Sequence, residues 1–373
     1  MHKVLLLLST IAALGLAACS DNSDTSDMPR LSVFIQTNDA AANAVVGYGR
    51  GEDGRLTARG TYPTGGRGSG IPRLGSQGSV LLSEDERWLL VADVGSHEIS
   101  VFSVGDDTLM LSDRVPSGGQ LPYSLTLRGD LLYVLNAGGS VPGGSDNITA
   151  FRLSAEGSLS PVPNSTRPLS ADSTEPAQVQ FSPDGGTLVV TEKATDKIDT
   201  YAVGPDGLAT GPTVHQSSGD TPFGFAFTSS GYFVVTEAFD KAMGLAAASS
   251  YRLGGAGIEA VSGTVQNGET DVCWTVITQD DRYAFITNFG SGTLSSYGIG
   301  SDGTLILIEA VAARTSAALG PRDQDLSADG RYLYVIDVGT QLVSGYEVES
   351  DGSLTAVGEV GGLPPTIAGL AAR

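Results

Sequence analysis

The stretch of sequence that decides the fold is FSPDGGTLVVTEKATDKIDTY, residues 181–201. It holds a turn at Gly185, an apolar run that begins at Leu188, the polar Glu192, a second turn, and another strand-forming run from Ile198. The Asp-Gly pair at the first turn permits the positive φ that a tight hairpin requires. The leucine and valines between the turns favour strands. The stretch therefore predicts strands joined by hairpins and leaves no room for a helix.

The same unit recurs at a spacing of about 50 residues, which is typical of folds built from repeated blades. In each copy an apolar strand ends in a polar residue, and a further strand follows after a second turn. The polar residues that end these strands are Asn38, Asp93, Asn136, Glu192, Glu237, Asn288 and Asp337. Fourth strands are predicted in the runs that begin at Leu56, Leu159, Leu208, Leu305 and Leu354. Four antiparallel strands per unit, repeated radially, predict a β-propeller.

The first copy has no hairpin before it, and the C-terminus supplies the missing strand. Residues 363–372, LPPTIAGLAA, match the innermost strand that should precede Val33. Pairing of this segment with the strand at Val33 would close the ring and remove its open edges. We therefore predict an all-β, seven-bladed β-propeller of four-stranded antiparallel blades, closed by pairing of the N- and C-terminal strands.

The N-terminus differs in composition from the repeats. Basic Lys3 precedes an apolar run over residues 4–16, and small residues then lead to Cys19. This pattern predicts a secretory signal, since the run is too short to span a membrane comfortably. The residues just before Cys19, Leu-Ala-Ala, resemble a bacterial lipobox, in which the cysteine is acylated; Ser20 after it favours the outer membrane. The alternative is an ordinary signal with a chance cysteine.

The chain accordingly divides into three parts. We expect a lipoprotein signal peptide over residues 1–18, the acylated cysteine with a disordered tether over residues 19–30, and the propeller over residues 31–373. The protein is expected to be exported and held at the bacterial envelope by its lipid anchor.

The net charge of the chain limits the kinds of partner that it is expected to bind. Lys and Arg total 21 and Asp and Glu total 42, so the net charge is −21, and loss of Lys3 with the signal makes it −22. Such a surface disfavours nucleic acid and anionic lipid, so membrane contact is expected through the anchor alone. Solubility is the simpler explanation of the acidity. We expect a monomer that binds a small molecule or another envelope protein.

Cysteine usage and motif content argue against a cofactor. Cys273 is the one cysteine besides Cys19, so an intrachain disulfide is not expected in the mature chain. A buried structural thiol is the expectation for Cys273. The sequence has neither zinc-ligand spacing nor a phosphate-binding Gly-Lys-Ser/Thr loop. A calcium ion among the polar residues that end the second strands is a minor alternative to no cofactor at all.

Two rings of residues are expected around the channel on one face. The first is the set of polar strand-ending residues, where Asp and Asn are explained by capping of local turns. Glu192 and Glu237 fit that explanation less well and are candidate catalytic residues. The second ring begins the innermost strands, and its candidate ligand-binding residues are Tyr123, Gln178, Phe223, Trp274, Arg322 and Asp323. Its aromatic members predict an apolar, stacking wall, although such aromatics more often belong to the core.

Histidine is scarce in the mature chain. His97 lies in a loop and His215 in an outer strand, so no Ser-His-Asp arrangement is supported. General acid–base work would fall to Glu192, Glu237, Lys193 or Asp323. Lys193 is also a candidate for holding an anionic group, together with Arg322.

Residues 182–192, SPDGGTLVVTE, and residues 327–335, SADGRYLYV, resemble the lactonase family of seven-bladed propellers. That family includes 6-phosphogluconolactonase-like proteins and the carboxymuconate-lactonizing (3-carboxymuconate cyclase) enzymes. The resemblance covers roughly residues 31–373. It implies the propeller fold and an activity on small-molecule lactones.

The resemblance also implies site residues. Family members with demonstrated chemistry use histidine and arginine at inner-strand starts and a glutamate that ends a second strand. Glu237 matches the glutamate. Phe223-Gly224 stands where the Arg-His pair should begin the same blade, and Ala177-Gln178 stands at the equivalent place in the preceding blade.

Two hypotheses follow, in different classes. One is a non-catalytic propeller that binds a ligand or partner on its channel face, and the replaced histidine and arginine favour it. The other is a lactonase or cyclase that acts on a lactone such as a carboxymuconate-type compound.

Overall fold

The computed structural model describes residues 29–72, 74–255, 257–317 and 319–373. The signal peptide, the acylated Cys19 and most of the tether that the sequence predicts lie outside the described residues. The first strand begins at Leu31, where the sequence places the start of the propeller. None of the helices in the described ranges has the length and apolar character that a membrane span needs.

The strands form seven antiparallel sheets, of which six are four-stranded. Blade 1 holds β1 (Leu31–Gln36), β2 (Ala44–Arg50) and β3 (Leu56–Pro63). Blade 2 holds β4 (Val80–Leu82), β5 (Trp88–Asp93), β6 (Glu98–Val104) and β7 (Leu109–Pro116). Blade 3 holds β8 (Pro122–Arg128), β9 (Leu131–Ala137), β10 (Asp146–Leu153), β11 (Leu159–Pro161) and β12 (Arg167–Pro168), its outer strand being split in two.

The remaining blades follow the same order from the inner to the outer strand. Blade 4 holds β13 (Pro176–Phe181), β14 (Thr187–Glu192), β15 (Lys197–Val203) and β16 (Ala209–Gln216). Blade 5 holds β17 (Pro222–Phe227), β18 (Tyr232–Glu237), β19 (Ala247–Gly254) and β20 (Gly257–Gln266). Blade 6 holds β21 (Val272–Ile277), β22 (Tyr283–Asn288), β23 (Thr293–Ile299) and β24 (Leu305–Arg314). Blade 7 holds β25 (Pro321–Leu326), β26 (Tyr332–Asp337), β27 (Leu342–Val348) and β28 (Leu354–Val360).

The last strand, β29 (Ala368–Ala372), closes the ring as the sequence predicts. It pairs antiparallel with β1, with Val33 opposite Ala372 and Ile35 opposite Leu370. It also contacts the inner strands of blades 2 and 7. The inner strands therefore follow one another in a closed circle around a central channel.

The second strands are apolar on successive residues because each of their faces packs on a different blade. In β5, Leu90 and Ala92 pack toward blade 3, whereas Leu89 and Val91 pack toward blade 1. Every residue of β5 is buried. The outer strands at Leu56–Pro63 and Leu354–Val360 instead consist of half-buried and exposed residues. Short 3-10 helices at Gly138–Ser140 and Phe239–Lys241 interrupt loops on the channel face.

Candidate functional site

Irregular pairing at the start of the inner strands directs side chains toward the channel. The register between the first and second strands shifts at Pro122/Ser124, Pro176/Gln178, Pro222/Phe225, Val272/Thr275 and Pro321/Gln324. These bulges contain the second ring of residues that the sequence singles out. Because a bulge bends its strand and re-aims the side chains within it, neighbouring residues of this ring point to different places.

Blade 2 departs from this pattern, and its departure shapes the whole channel. Its inner strand β4 is only three residues long. Residues 74–78, which precede β4, do not continue the wall of inner strands that surrounds the channel. We call residues 74–78 the channel segment. The Gly78 carbonyl accepts a hydrogen bond from Leu125 of blade 3 (2.9 Å), and the Gln77 amide donates to the Ala177 carbonyl of blade 4 (3.1 Å).

The channel segment also reaches blades 6 and 7. Trp274 Nε1 donates to the Ser76 carbonyl (2.7 Å), and Arg322 Nη1 donates to the Leu74 carbonyl (2.8 Å). The Gln77 side chain makes two further bonds to the backbone of Thr275, at 2.8 and 3.2 Å. A segment of blade 2 that bonds blades 3, 4, 6 and 7 must lie inside the channel, where it separates two cavities.

The upper cavity, of ≈ 710 Å³, opens on the face where the second strands end. Four predicted site residues line it: Tyr123, Lys193, Phe223 and Arg322. Its other lining residues are Gly75, Ala137, Ser140, Asp146, Ser173, Glu175, Ala194, Thr221, Ala238, Asp240, Lys241, Asp271, Cys273 and Phe289. Phe223 and Arg322 are buried, Tyr123 and Lys193 are half-buried, and Glu175, Asp240 and Lys241 at the rim are exposed. The base of the cavity thus combines aromatic rings with two cations and the buried carboxylates of Asp146 and Asp271, and its rim is charged.

Arg322 lies at the base of the upper cavity and is 5% exposed. Its guanidinium carbon is 4.9 Å from the Trp274 ring centroid and 4.5 Å from that of Phe289. Contacts of this kind favour the cation through the ring quadrupoles. The bond to the Leu74 carbonyl then holds the group in one orientation. Trp274, another predicted site residue, therefore supports Arg322 from below and is not itself a lining residue of the cavity.

Lys193 is the second cation at the base. Its Nζ donates to the carbonyls of Gly75 (2.9 Å) and Pro176 (3.2 Å) and lies 4.9 Å from the Phe223 ring centroid. Burial lowers the pKa of Lys193 to about 8, and the negative charge of Glu175 opposes that shift. Phe223 in turn packs on Trp274, with the ring centroids 5.3 Å apart.

The free thiol of Cys273 completes the base of the upper cavity. Cys273 is 3% exposed and lies in the bulge next to Trp274. Burial, followed by the nearby charge of Asp271, raises the pKa of the thiol. The thiol is therefore protonated at neutral pH, as the sequence-based expectation of a structural cysteine requires.

Two predicted site residues, Gln178 and Asp323, belong to the other cavity, of ≈ 610 Å³, below the channel segment. Gln178 ties blade 4 to blade 5, because its side-chain amide bonds both the carbonyl (2.9 Å) and the N–H (2.7 Å) of Phe225. Asp323 is 3% exposed, and burial raises its pKa well above the ordinary value. Neither residue lines the cavity that holds Arg322 and Lys193.

Glu192 and Glu237, the two candidate catalytic carboxylates, line neither of these two cavities. Glu237 accepts hydrogen bonds from the Gly219 N–H (2.8 Å) and the Ser249 hydroxyl (2.5 Å). Glu192 accepts bonds from the N–H (2.9 Å) and hydroxyl of Ser170. Since Gly219 and Ser170 follow the outer strand of the preceding blade, each glutamate joins two adjacent blades.

The other members of the first ring share this role, except Asn38, whose side chain bonds Ser69 and Ile71 after the outer strand of its own blade. All members of the first ring are 0% exposed: Asn38, Asp93, Asn136, Glu192, Glu237, Asn288 and Asp337. Asp93 accepts a bond from Thr64 (2.6 Å) and Asp337 accepts one from Thr315 (2.6 Å), each across a blade boundary. The sequence predicts local turn caps at these positions. Asp337 does cap the N–H groups of residues 339 and 340. The hydrogen bonds between adjacent blades, however, could not be predicted from the sequence.

The arrangement of side chains in the described ranges does not indicate a metal site. Within the described ranges, no three His, Cys, Asp or Glu side chains come together in a way that could hold a metal ion. In the first ring, where the sequence places its calcium alternative, the oxygens of Asp93 already accept bonds from Asn43, Thr64 and Ser100.

Comparison with known families agrees with the architecture. The chain matches the family described as "Lactonase, 7-bladed beta-propeller" over residues 43–168, 144–238 and 238–366. These matches span most of the chain, so the protein belongs to the lactonase family of seven-bladed propellers. Among curated proteins, no sequence matches it.

Solved structures show the same fold at low sequence identity. A Bacteroides fragilis protein, provisionally named a 6-phosphogluconolactonase, is 17% identical with a TM-score of 0.71, and the match covers 93% of this chain and 98% of that one. The periplasmic gluconolactonase of Pseudomonas aeruginosa is 18% identical with a TM-score of 0.69, over 92% of this chain and 99% of that one. At such identities the likeness concerns the fold alone.

Sequence reasoning missed several residues of the upper cavity. The channel segment has no strand pattern, and its glycines suggest only a turn. Asp146, Glu175 and Asp271 flank the inner strands as loop residues. In the structure Glu175 and Asp271 adopt positive φ values of 49° and 54°. This backbone conformation is uncommon for residues other than glycine, so the sequence alone does not predict it at these positions.

Proposed function

We propose that the protein binds a small organic anion in the upper cavity. The observation that carries this proposal is that two cations, Arg322 and Lys193, line the base of one cavity beside the ring of Phe223. Buried Asp146 also lines this cavity, but its carboxylate already accepts hydrogen bonds from Gly139 and Thr174. Charge-assisted hydrogen bonds in such surroundings are stronger than in water. Phe223, which also lines the cavity, adds apolar surface for the carbon skeleton of the ligand.

The volume of the cavity suits this class of ligand. Pockets for small molecules are typically about 300–1,000 Å³, mostly apolar, with a few polar groups that fix orientation. The exposed rim residues Glu175, Asp240 and Lys241 leave the mouth open to solvent. A partner protein of the envelope could bind over the same mouth, and it is the alternative occupant.

Titration calorimetry with gluconate and cis,cis-muconate tests the proposal. Loss of one charge-assisted bond costs about 1.5–3 kcal/mol, so Arg322→Gln should weaken binding roughly 10- to 100-fold. Arg128→Gln is the matched control, because Arg128 lies on the surface and pairs with Glu84. Equal affinity in wild type and Arg322→Gln would contradict the proposal, as would failure of both compounds to bind.

Lactone hydrolysis is the second candidate, and one observation favours it. A lysine with a pKa of about 8 is partly neutral at that pH and can accept a proton from attacking water. The names of the Bacteroides and Pseudomonas proteins suggest aldonolactones as substrates to try. Turnover of glucono-1,5-lactone that is lost in Lys193→Met but kept in Lys197→Met would support this candidate.

We further propose that the protein is exported and anchored through an acylated Cys19. The position of the first strand indicates how an anchored propeller would be oriented relative to the membrane. The N–H of Leu31 bonds the carbonyl of Asp106 in the hairpin between β6 and β7, on the face opposite the upper cavity. A tether at this end would leave the cavity facing away from the membrane. Cys19→Ala should abolish labelling by radioactive palmitate, and a fully soluble wild type would contradict the anchor.

A further inference from the structure

We propose that Lys193 forms a reversible imine with an oxo acid, an aldehyde or ketone that also carries a carboxylate. This inference rests on the proposed binding of an organic anion in the upper cavity and names the chemical class of that ligand. Its basis is the placement of an amine and a carboxylate-binding guanidinium in one cavity.

Lys193 stands apart from the other lysines of the propeller, Lys197 and Lys241. Lys197 is half-buried, as Lys193 is, but it lines neither cavity and bonds the Gln216 side chain, whereas Lys241 is exposed at the rim. Lys193 lines the base of the cavity, and both of its hydrogen bonds go to neutral carbonyl oxygens. An amine that is desolvated in an apolar pocket, or lies near another cation, is an activated nucleophile.

The two hydrogen bonds are compatible with the neutral amine. A neutral amine has two N–H donors and one lone pair, and the carbonyls of Gly75 and Pro176 accept both donors. The lone pair is then not engaged by either bond. Burial, together with the positive charge of Arg322, favours the neutral form of Lys193, while the charge of Glu175 restrains the shift.

Arg322 supplies the selectivity for a carboxylate. Its guanidinium is held between the Trp274 and Phe289 rings, 4.9 and 4.5 Å from their centroids. The planar guanidinium matches the geometry of a carboxylate. A ligand whose carboxylate contacts Arg322 would present its remaining carbon atoms to Phe223 and its carbonyl to Lys193.

The reaction balances without any redox partner. Nζ attacks the carbonyl carbon, a C–N bond forms, and the oxygen takes up a proton to give a carbinolamine. Loss of water then yields the protonated imine, so that amine and carbonyl become iminium and water with one proton drawn from solvent. The iminium keeps one N–H, which can retain the bond to either Gly75 or Pro176.

Reductive trapping tests the inference on the wild-type protein. The protein is incubated with glyoxylate and cyanoborohydride, and the modified lysine is located by peptide mass spectrometry. Burial lowers the pKa of Lys193 to about 8, and relative to an ordinary lysine with a pKa of about 10.4 this makes the neutral fraction roughly two-hundredfold higher at neutral pH. Lys193 should therefore be labelled at least about tenfold faster than Lys197 or Lys241.

The role of Arg322 is tested with a second carbonyl compound. Arg322→Gln should slow labelling by glyoxylate several-fold more than labelling by propionaldehyde, which carries no carboxylate. Labelling by propionaldehyde measures the smaller effect that loss of the Arg322 charge has on the protonation of Lys193. Equal labelling of all lysines, or none at Lys193, would overturn the imine. Binding of muconate without any trapping of Lys193 would overturn the imine alone, whereas absence of both would overturn the proposed function as well.

Discussion

Arg322 Nη1 and the Leu74 carbonyl oxygen are 2.8 Å apart, although 248 residues separate them in the sequence. This bond joins blade 7 to the channel segment of blade 2. Together with the bonds from Lys193 and Trp274 to the same segment, it gives the upper cavity a base made of the protein's own backbone. The upper cavity is therefore closed toward the lower cavity.

Gly75 offers a way to fill the cavity without disturbing the fold. A Cβ at this position would lie 3.6 Å from both Lys193 Nζ and Phe223 Cζ, which is ordinary van der Waals contact. We expect Gly75→Val to weaken muconate binding by about tenfold or more, because the added methyl groups take up ligand space. The melting temperature should stay within a few degrees of the wild-type value.

Gly255→Val is the matched control for this experiment. A Cβ at Gly255 meets nothing within 4 Å, so the substitution adds the same side chain away from the channel. Unchanged affinity in Gly75→Val, measured by calorimetry on folded protein, would mean that the ligand binds elsewhere.

The fold was predictable because its signals are local and repeated. Turns such as the one at Gly185 recur at a fixed spacing, and each is followed by an apolar strand. Pairing of β29 with β1 was predictable because one copy lacks a hairpin and the C-terminus supplies a strand. No comparable local signal marks the channel segment, whose position depends on contacts with four other blades.

The candidate site was predictable only in part. Arg322 and Asp323 are adjacent in sequence and were expected to lie in one ring. The bulge between Pro321 and Gln324 instead directs one toward the upper cavity and the other toward the lower one. Periodicity shows which residues begin an inner strand, but the direction in which a bulge aims each side chain depends on tertiary packing.

The buried carboxyl group of Asp199 should make the stability of the folded protein depend on pH. Asp199 is fully buried next to Glu192, and burial, followed by the charge of Glu192, raises its pKa. The folded state therefore holds a proton that the unfolded state releases at lower pH. Stability should fall as pH rises above the ordinary carboxyl range through the raised pKa, by on the order of 1 kcal/mol or more.

Urea unfolding from about pH 5 to about pH 9 measures this dependence. Asp199→Asn should make the downward slope shallower, because an amide has no proton to lose, while Glu237 and Asp323, whose pKa values burial also raises, maintain the rest of it. Asp184→Asn should leave that slope in place, since Asp184 is exposed and hydrogen bonding from Ser182 lowers its pKa, so its contribution is lost on acidification instead. A wild-type profile without a downward slope would contradict the assignment.

Ring closure predicts a large effect of a small deletion. Removal of residues 364–373 deletes β29, whose residues are all buried, and the buried Ile367 before it. Lost backbone bonds and apolar contacts should destabilise the protein by at least about 3 kcal/mol. Thermal unfolding measures the loss, and a peptide of residues 363–373 added in trans should restore part of it. An unchanged melting temperature would exclude a structural role for the pairing.

Glu237 allows the binding and enzyme hypotheses to be separated. It matches the glutamate of the lactonase family, yet it is fully buried, accepts bonds from Gly219 and Ser249, and has a pKa raised by burial. Glu237→Gln keeps an oxygen for both donors and removes the buried charge. We therefore expect Glu237→Gln to retain muconate affinity and to be at least as stable as wild type above pH 7. In Glu237→Ala the N–H of Gly219 loses its acceptor, so the free energy of unfolding should fall by about 1–3 kcal/mol. If Glu237→Gln instead folds normally and abolishes hydrolysis of glucono-1,5-lactone, the carboxylate takes part in catalysis, and the protein is an enzyme whose acid–base group reaches the substrate from the boundary between two blades.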